Sequence, residues 1–148
     1  MKSNNIGYTA GVYDMFHVGH LNLLKQAKEH CDYLIVGVNS DELTYRYKGK
    51  YPVIPLPERM EIVKAIKYVD EVVCAEDVVR VTENGSMNVY EEFHPKFIVI
   101  GDDHKSDPRW KDVDEYLRDR DSEVVYIPYT ASVSSTQLKG RHSDKVEG

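Results

Sequence analysis

The chain has 148 residues, the size of one domain, and its 19 basic and 25 acidic side chains give a net charge of −6 with histidines neutral. An acidic chain lacks the basic face with which general nucleic-acid binders neutralise phosphates, so we expect no nucleic-acid partner. No apolar run reaches the length of a membrane span and no secretory signal is visible, so we expect a cytoplasmic protein without membrane contact. Cys31 and Cys74 form neither a disulfide framework nor a zinc cluster, and we expect both to be reduced and in the interior.

Short apolar runs alternate with segments of helical periodicity along the chain. In chain order they predict a strand at Ile6–Thr9, a helix from Leu21 to about His30, a strand at Asp32–Val38, a helix at Pro57–Tyr68, strands at Glu71–Cys74 and Lys96–Ile100, a helix at Pro108–Arg120 and a strand at Glu123–Ile127. Strands separated by helices imply right-handed crossovers and a parallel sheet. We therefore predict an α/β fold, a doubly wound Rossmann-like parallel sheet of about five strands with helices on both faces. It forms a single domain over residues 1–140, followed by a polar tail over 141–148.

Each predicted helix has an apolar stripe that should face the sheet. The inward positions are Leu21, Leu24, Ala27 and Cys31 in the first helix, Met60, Ile62, Val63 and Ile66 in the second, and Trp110, Val113, Tyr116 and Leu117 in the third. Ligands of such sheets bind beyond the carboxyl ends of the strands, so the loops that follow the strands should carry the chemistry.

The loop after the first predicted strand, GVYDMFHVGH over residues 11–20, leads directly into the first helix. Gly11 permits close backbone approach, and His17 and His20 are neighbours about one helical turn apart. Gly19 removes a side chain between them, and the helix N-terminus offers unpaired N–H groups to an anion. The residues alone are equally compatible with a phosphate site and with an ordinary helix start, whereas a metal site lacks a third ligand nearby.

This segment resembles the HxGH signature of the nucleotidylyltransferases. The segments DYLIVGV, SDELT, Lys48-Gly49, PER and YVDEV are similar to the choline- and ethanolamine-phosphate cytidylyltransferases, and GDD at 101–103 and VSST at 133–136 are similar to the bacterial glycerol-3-phosphate cytidylyltransferases. The resemblance runs in register from about residue 6 to about residue 140. It identifies the chain as a cytidylyltransferase-type protein.

The resemblance implies transfer of CMP from CTP to a small phosphomonoester by direct in-line attack, with release of pyrophosphate and with Mg²⁺ as cofactor. No general base is needed, because a phosphate dianion is already a nucleophile. It also implies a homodimer. Two alternatives stay open: an adenylyltransferase of the same fold, and an inactive nucleotide-binding module.

The resemblance also implies roles for particular residues. The catalytic residues are His17, His20 and Lys48. The nucleotide-binding residues are Gly11, Val12, Tyr13, Asp14, Gly19, Lys50, Asp102, Tyr129, Thr130, Val133, Ser134, Ser135 and Thr136. The acceptor-binding residues are Arg59, Lys67, Arg80, Asp103 and His104. No protein ligand to a metal is assigned.

Simpler interpretations compete with several of these roles. Lys48 and Lys50 fall in a polar stretch, RYKGKY, that is otherwise typical of a solvated turn, and Asp102 or Asp103 could cap the next helix. Tyr129 stands where the family usually has an arginine, which is the best support for an inactive module. His104 stands where the bacterial enzymes have a tryptophan after the two aspartates. The loop His104–Trp110 is longer than in those enzymes and is expected to line an acceptor pocket unlike that for glycerol phosphate.

Overall fold

Five parallel strands form the centre of the structure, a computed structural model that describes residues 5–128. They are β1 (Ile6–Gly11), β2 (Tyr33–Asn39), β3 (Glu71–Ala75), β4 (Phe97–Gly101) and β5 (Glu123–Ile127). Their order in the sheet is β3-β2-β1-β4-β5, and every neighbouring pair is parallel. The chain therefore reverses its direction of travel across the sheet between β1 and β4, which is where such folds bind ligands. The predicted strands are confirmed within two residues at each end.

Five helices connect the strands: α1 (Val18–Glu29), α2 (Asp41–Lys48), α3 (Leu56–Lys64), α4 (Asn88–Phe93) and α5 (Pro108–Arg118). The apolar residues of α1 and α3 pack on one face of the sheet, and those of α4 and α5 pack on the other. The predicted doubly wound fold is thus confirmed. None of the helices in the described part of the chain is long and apolar enough to cross a membrane.

The helices α2 and α4 are not predicted from the sequence because neither has a long apolar period. In α2 the buried residues are Leu43 and Thr44, and its ends are set by capping instead. The Ser40 hydroxyl accepts from the Leu43 N–H at 3.0 Å, and Gly49 ends the helix in the left-handed conformation with φ of 78°. With six residues, α4 is too short to show a period.

The apolar stripes are largely confirmed: Leu24, Ala27, Cys31, Val63, Trp110, Val113 and Leu117 are buried. The prediction that Ile62 faces inward is wrong, since Ile62 is 38% exposed. The helix that carries it, α3, ends at Lys64 and not at Tyr68 as predicted. Cys74 is exposed, contrary to expectation, because it lies in the edge strand β3. Both cysteines have free thiols.

Candidate active site

A cleft of about 560 Å³ opens at the carboxyl ends of β1 and β4, where the chain reverses its direction across the sheet. Its walls come from β1, the start of α1, the ends of β2, α2 and β4, the loop after β3, the segment between β4 and α5, the start of α5 and Pro128 after β5. The polar side chains among its lining residues are Tyr8, Thr9, His17, His20, Asn39, Tyr47, Asp77, Asp103, His104, Asp107 and Arg109, together with the indole of Trp110.

The two histidines of the predicted signature form a reciprocal cap at the start of α1. The Gly19 N–H donates to Nδ1 of His17 at 3.0 Å, and the His17 N–H donates to Nδ1 of His20 at 3.1 Å. An Nδ1 that accepts a hydrogen bond has no proton, so each neutral ring keeps its proton on Nε2. The rings stack with centroids 3.9 Å apart, and both line the cleft. The pair therefore caps the helix with one ring nitrogen and retains the other as an N–H donor for a ligand.

The environment of these rings keeps them uncharged at neutral pH. Burial is the main cause that lowers the pKa of His20 to about 4, with smaller contributions in the same direction from His17 and Lys48 and an opposing one from Asp14. Burial also lowers the pKa of His17. The two imidazoles thus serve as neutral hydrogen-bond donors rather than as cations.

The turn between β1 and α1 has a strained backbone, and the buried ring of Tyr13 packs against it from the protein interior. Tyr13 and Met15 have φ of 55° and 50°, a region that side chains other than glycine seldom adopt. The Tyr13 ring is buried beneath Gly11, where a Cβ would lie 3.2 Å from ring carbon Cε2, and it meets the His20 ring edge-on at 5.5 Å. Tyr13 therefore supports His20 from the interior, and burial raises the pKa of its hydroxyl.

Asp14 joins this turn to the segment that follows α2. Its carboxylate accepts from the backbone N–H groups of Val53 and Ile54 at 2.8 and 2.9 Å. Of the turn residues predicted to bind nucleotide, Gly19 lines the cleft, whereas Gly11, Val12, Tyr13 and Asp14 are not part of its wall. For Asp14 the structure shows a tether between two backbone segments rather than a position on the cleft wall.

Lys48 is the last residue of α2, whereas the polar sequence around it predicts a loop. Its Nζ lies 5.9 Å from the ring centroid of Tyr47, which lines the cleft and accepts a hydrogen bond from Asn39 Nδ2 at 3.0 Å. The charge of Lys48 also contributes to the low pKa of His20, although Lys48 itself is not among the residues that line the cleft. Lys50 is exposed, beyond the helix end, and does not line the cleft.

A contact with the acceptor would require Arg59 to lie on the cleft wall. Arg59 lies neither there nor on the surface. Its side chain is 0% exposed. Nη1 donates to the carbonyls of Val12 and Asn39, both at 2.8 Å, Nε donates to the carbonyl of Ile54 at 2.7 Å, and Nη2 pairs with the Asp41 carboxylate at 2.5 Å. Arg59 therefore connects the β1–α1 turn, the end of β2 and the segment before α3 from behind the site.

Two other predicted acceptor contacts are also displaced from the cleft. Lys67 lies in the turn before β3, near Asp70, whose N–H donates to the carbonyl of Leu34 at the start of β2. That is the amino edge of the sheet, opposite the cleft. Arg80 is exposed beside Asp77, at 3.4 Å, and lines a smaller cavity of about 230 Å³ next to the cleft.

The segment after β4 places two predicted residues in the cleft wall. A single 3₁₀ turn covers Asp102–His104, and the side chains of Asp103 and His104 line the cleft, 3.9 Å apart. A Cβ on Gly101 would lie 2.6 Å from Oδ1 of Asp103, so the glycine leaves room for that carboxylate. Neither aspartate caps α5. The N-cap is Asp107, whose carboxylate accepts from the Arg109 N–H at 2.9 Å.

Several cleft residues were not identified from the sequence: Tyr8, Thr9, Asn39, Tyr47 and Asp77. The available signal was position, because Asn39 ends β2 and Asp77 follows β3 by two residues. Arg109 and Trp110 belong to the segment His104–Trp110 that was expected to line an acceptor pocket, and both line the cleft. Within residues 5–128, no group of three His, Cys, Asp or Glu side chains is arranged to hold a metal ion. The predicted nucleotide contacts Tyr129, Thr130, Val133, Ser134, Ser135 and Thr136, and the tail, lie outside the described residues.

Comparison with known proteins agrees with this geometry. A family model described as cytidylyltransferase-like matches residues 8–141. An ethanolamine-phosphate cytidylyltransferase of Arabidopsis thaliana is 40% identical over 134 residues, which cover 90% of this chain and 31% of that protein. An FAD synthase of Thermococcus sibiricus is 37% identical over 121 residues, which cover 82% of this chain and 78% of that protein.

A solved structure is similar over most of its length. The lipopolysaccharide core biosynthesis protein of Thermoplasma volcanium superposes with a TM-score of 0.65 at 26% identity, and the superposition covers 85% of this chain and 96% of that one. The chain thus spans less than a third of the ethanolamine-phosphate relative but most of the FAD synthase and of this solved protein. The histidine turn, the sheet order and the family match together show that the chain belongs to the cytidylyltransferase-like family.

Proposed function

We propose that the chain is a nucleotidyltransferase that transfers CMP from CTP to a small phosphomonoester and releases pyrophosphate. The observation that carries this proposal is the histidine pair: two neutral imidazoles, fixed by backbone hydrogen bonds with their protons on Nε2, at the wall of the cleft. The ethanolamine-phosphate relative supports CTP as the nucleotide.

In this reaction an oxygen of the acceptor phosphate attacks the α-phosphorus of CTP. A new P–O bond forms as the bond to the β-phosphate breaks, and the electron pair leaves with pyrophosphate. His17 and His20 donate Nε2–H hydrogen bonds where negative charge accumulates, and the ammonium of Lys48 neutralises part of it. Positioning and charge neutralisation account for the catalysis, and none of these residues needs to accept a proton.

The cleft carboxylates fit the Mg²⁺ that we include in this proposal. Mg²⁺ with a nucleotide is usually bound by phosphate oxygens, water and one or two carboxylates, not by a closed set of protein ligands. Asp103 and Asp77 are carboxylates on the cleft wall, and Asp77 would be the protein ligand, so that Asp103 is left for the acceptor. When bound, Mg²⁺ neutralises charge on the phosphates of CTP and on the leaving pyrophosphate.

The test is pyrophosphate release from CTP and Mg²⁺ with a panel of small phosphomonoesters. His17→Ala and His20→Ala should each lower kcat by about 10²–10³, the effect of removing one oxyanion donor. His30→Ala is the matched control, because that histidine is exposed at the far end of α1, and it should leave kcat unchanged. Unchanged turnover in His17→Ala or His20→Ala would contradict the proposed role.

A second candidate is adenylyl transfer from ATP. It is favoured by the similarity to FAD synthases, of which the chain covers a larger share than it does of the ethanolamine-phosphate enzyme. Comparing kcat/KM for CTP, ATP, GTP and UTP separates the two candidates, and a preference for ATP would overturn the first. The predicted cytoplasmic homodimer belongs to the same proposal, and light scattering of the purified chain tests the dimer.

A further inference from the structure

The first turn of α5 contributes an aromatic residue to the cleft whose ring is already covered by a cation of the protein. Trp110 lines the cleft but is only 6% exposed, because its other contacts belong to the core under α5. The Arg109 guanidinium lies over the indole, with Cζ 5.1 Å from the ring centroid. An indole face is the strongest protein site for a cation, and here Arg109 occupies it.

The same wall has hydrogen-bond donors without acceptors. Nε of Arg109 and Nε1 of Trp110 are buried, and neither has a partner within the described residues. Arg109 does keep one ion pair, with Asp107 at 3.3 Å. The Nε and Nε1 atoms have almost no accessible surface, so a ligand oxygen in the cleft would instead accept from the guanidinium nitrogens of Arg109, whose side chain is 34% exposed.

The carboxylates on this wall require hydrogen-bond donors from the ligand. Asp103 and Asp107 both line the cleft and accept hydrogen bonds only, when ionised. A hydroxyl group pairs with both the donors and the carboxylates of the wall, because it accepts from an N–H and donates to a carboxylate. A trimethylammonium group satisfies neither, since it has no hydrogen-bonding atom and would need the indole face that Arg109 covers.

We propose that Arg109 is a specificity-determining residue that selects an acceptor phosphomonoester with hydroxyl groups and excludes one with a quaternary ammonium. This inference rests on the proposed function, because it concerns the acceptor of that reaction. The guanidinium–indole contact excludes acceptors with a quaternary ammonium. The hydrogen-bond donors and acceptors of the wall bind acceptors with hydroxyl groups.

The experiment compares kcat/KM for glycerol phosphate and for choline phosphate, with CTP and Mg²⁺, in the wild type and in Arg109→Ala, which removes both the charge and the side chain that cover the indole face. The wild type should prefer glycerol phosphate, and the preference should shift toward choline phosphate by about tenfold in Arg109→Ala, the factor that a cation–π contact supplies. Arg120→Ala is the matched control. That guanidinium also stacks on an aromatic ring, Tyr116 at 3.5 Å, but it does not line the cleft, so the preference should not change.

A binding measurement keeps the inference testable if no acceptor is turned over. Trp110 is the single tryptophan of the chain, so its fluorescence reports on this wall alone. In the presence of CTP, choline phosphate should alter the fluorescence of Arg109→Ala at concentrations about tenfold lower than for the wild type. An equal response in both proteins, or a wild-type preference for choline phosphate, would overturn the role of Arg109. Absence of pyrophosphate release with every acceptor would overturn only the proposed function.

Discussion

The backbone N–H of His17 donates to Nδ1 of His20 over 3.1 Å, and the two rings stack with their centroids 3.9 Å apart. The hydrogen bond that begins α1 is therefore the same one that determines which nitrogen of His20 holds the proton. Each ring caps the helix through Nδ1 and is available to a ligand through Nε2. Substitutions can separate these two roles.

His17→Asn should separate capping from catalysis. The Asn side-chain oxygen can accept from the Gly19 N–H as Nδ1 of His17 does, so the free energy of unfolding should stay within about 0.5 kcal/mol of the wild type. His17→Ala loses the cap and should cost about 1 kcal/mol. Both variants lose the Nε2–H donor, so both should lower kcat by about 10²–10³. Urea unfolding and pyrophosphate release measure the two effects, and normal turnover in His17→Asn would show that the ring is only a cap.

The ring of His20 should titrate near pH 4, which an NMR titration of its carbon-bound protons can measure. The folded protein then binds fewer protons than the unfolded chain between about pH 4 and the ordinary histidine pKa of 6.5. The contribution of His20 to stability is therefore complete above pH 6.5 and is lost as the pH falls toward 4. His20→Asn should weaken this dependence of the unfolding free energy on pH. A midpoint of 6 to 7 for the ring would contradict the neutral, backbone-fixed imidazole.

The parts of the molecule that follow from periodicity were predictable from the sequence, and those that follow from capping were not. All five strands and the helices α1, α3 and α5 have apolar patterns, so the parallel sheet and the cleft position could be inferred. By contrast, the ends of α2 are determined by its capping residues Ser40 and Gly49. Lys48 therefore lies at a helix end and not in the predicted loop.

The histidine turn was predictable because its residues are adjacent in the chain, whereas the role of Arg59 depends on contacts with distant segments. An arginine after a helix start is ordinarily exposed, and nothing in its neighbours indicates that carbonyls from Val12 and Asn39 will converge on it. Sequence similarity placed Arg59 among the acceptor-binding residues, whereas in the structure it lies behind the cleft wall.

Arg59→Met should destabilise the protein by about 3 kcal/mol or more, because it leaves the Asp41 carboxylate and three backbone carbonyls without their donor. Arg80→Ala is the matched control. Its ion pair with Asp77 is exposed, and its loss should change stability by less than about 0.5 kcal/mol. Thermal and urea unfolding measure both variants. Equal stability of Arg59→Met and the wild type would mean that the buried bonds add nothing to the fold.

Asp14→Ala should release the segment that follows α2 from the β1–α1 turn, because it removes the acceptor for the Val53 and Ile54 N–H groups. Trypsin should then cleave faster after Lys50, and kcat/KM for CTP should fall by about tenfold because Lys48 is no longer fixed near the histidines. Asp32→Ala, at an exposed aspartate at the opposite edge of the sheet, should change neither rate. Unchanged proteolysis in Asp14→Ala would show that this tether does not order the segment.

The most direct test of nucleotidyl transfer follows the α-phosphorus of CTP. The chain is incubated with CTP labelled at that position, Mg²⁺ and a hydroxyl-bearing phosphomonoester, and the products are separated by anion-exchange chromatography. We predict that the label moves into a CDP-linked product with one pyrophosphate released for each product formed, and that His20→Ala loses about 10²–10³ of this rate. Label recovered only as free CMP, or transferred from ATP in preference to CTP, would contradict the proposed reaction.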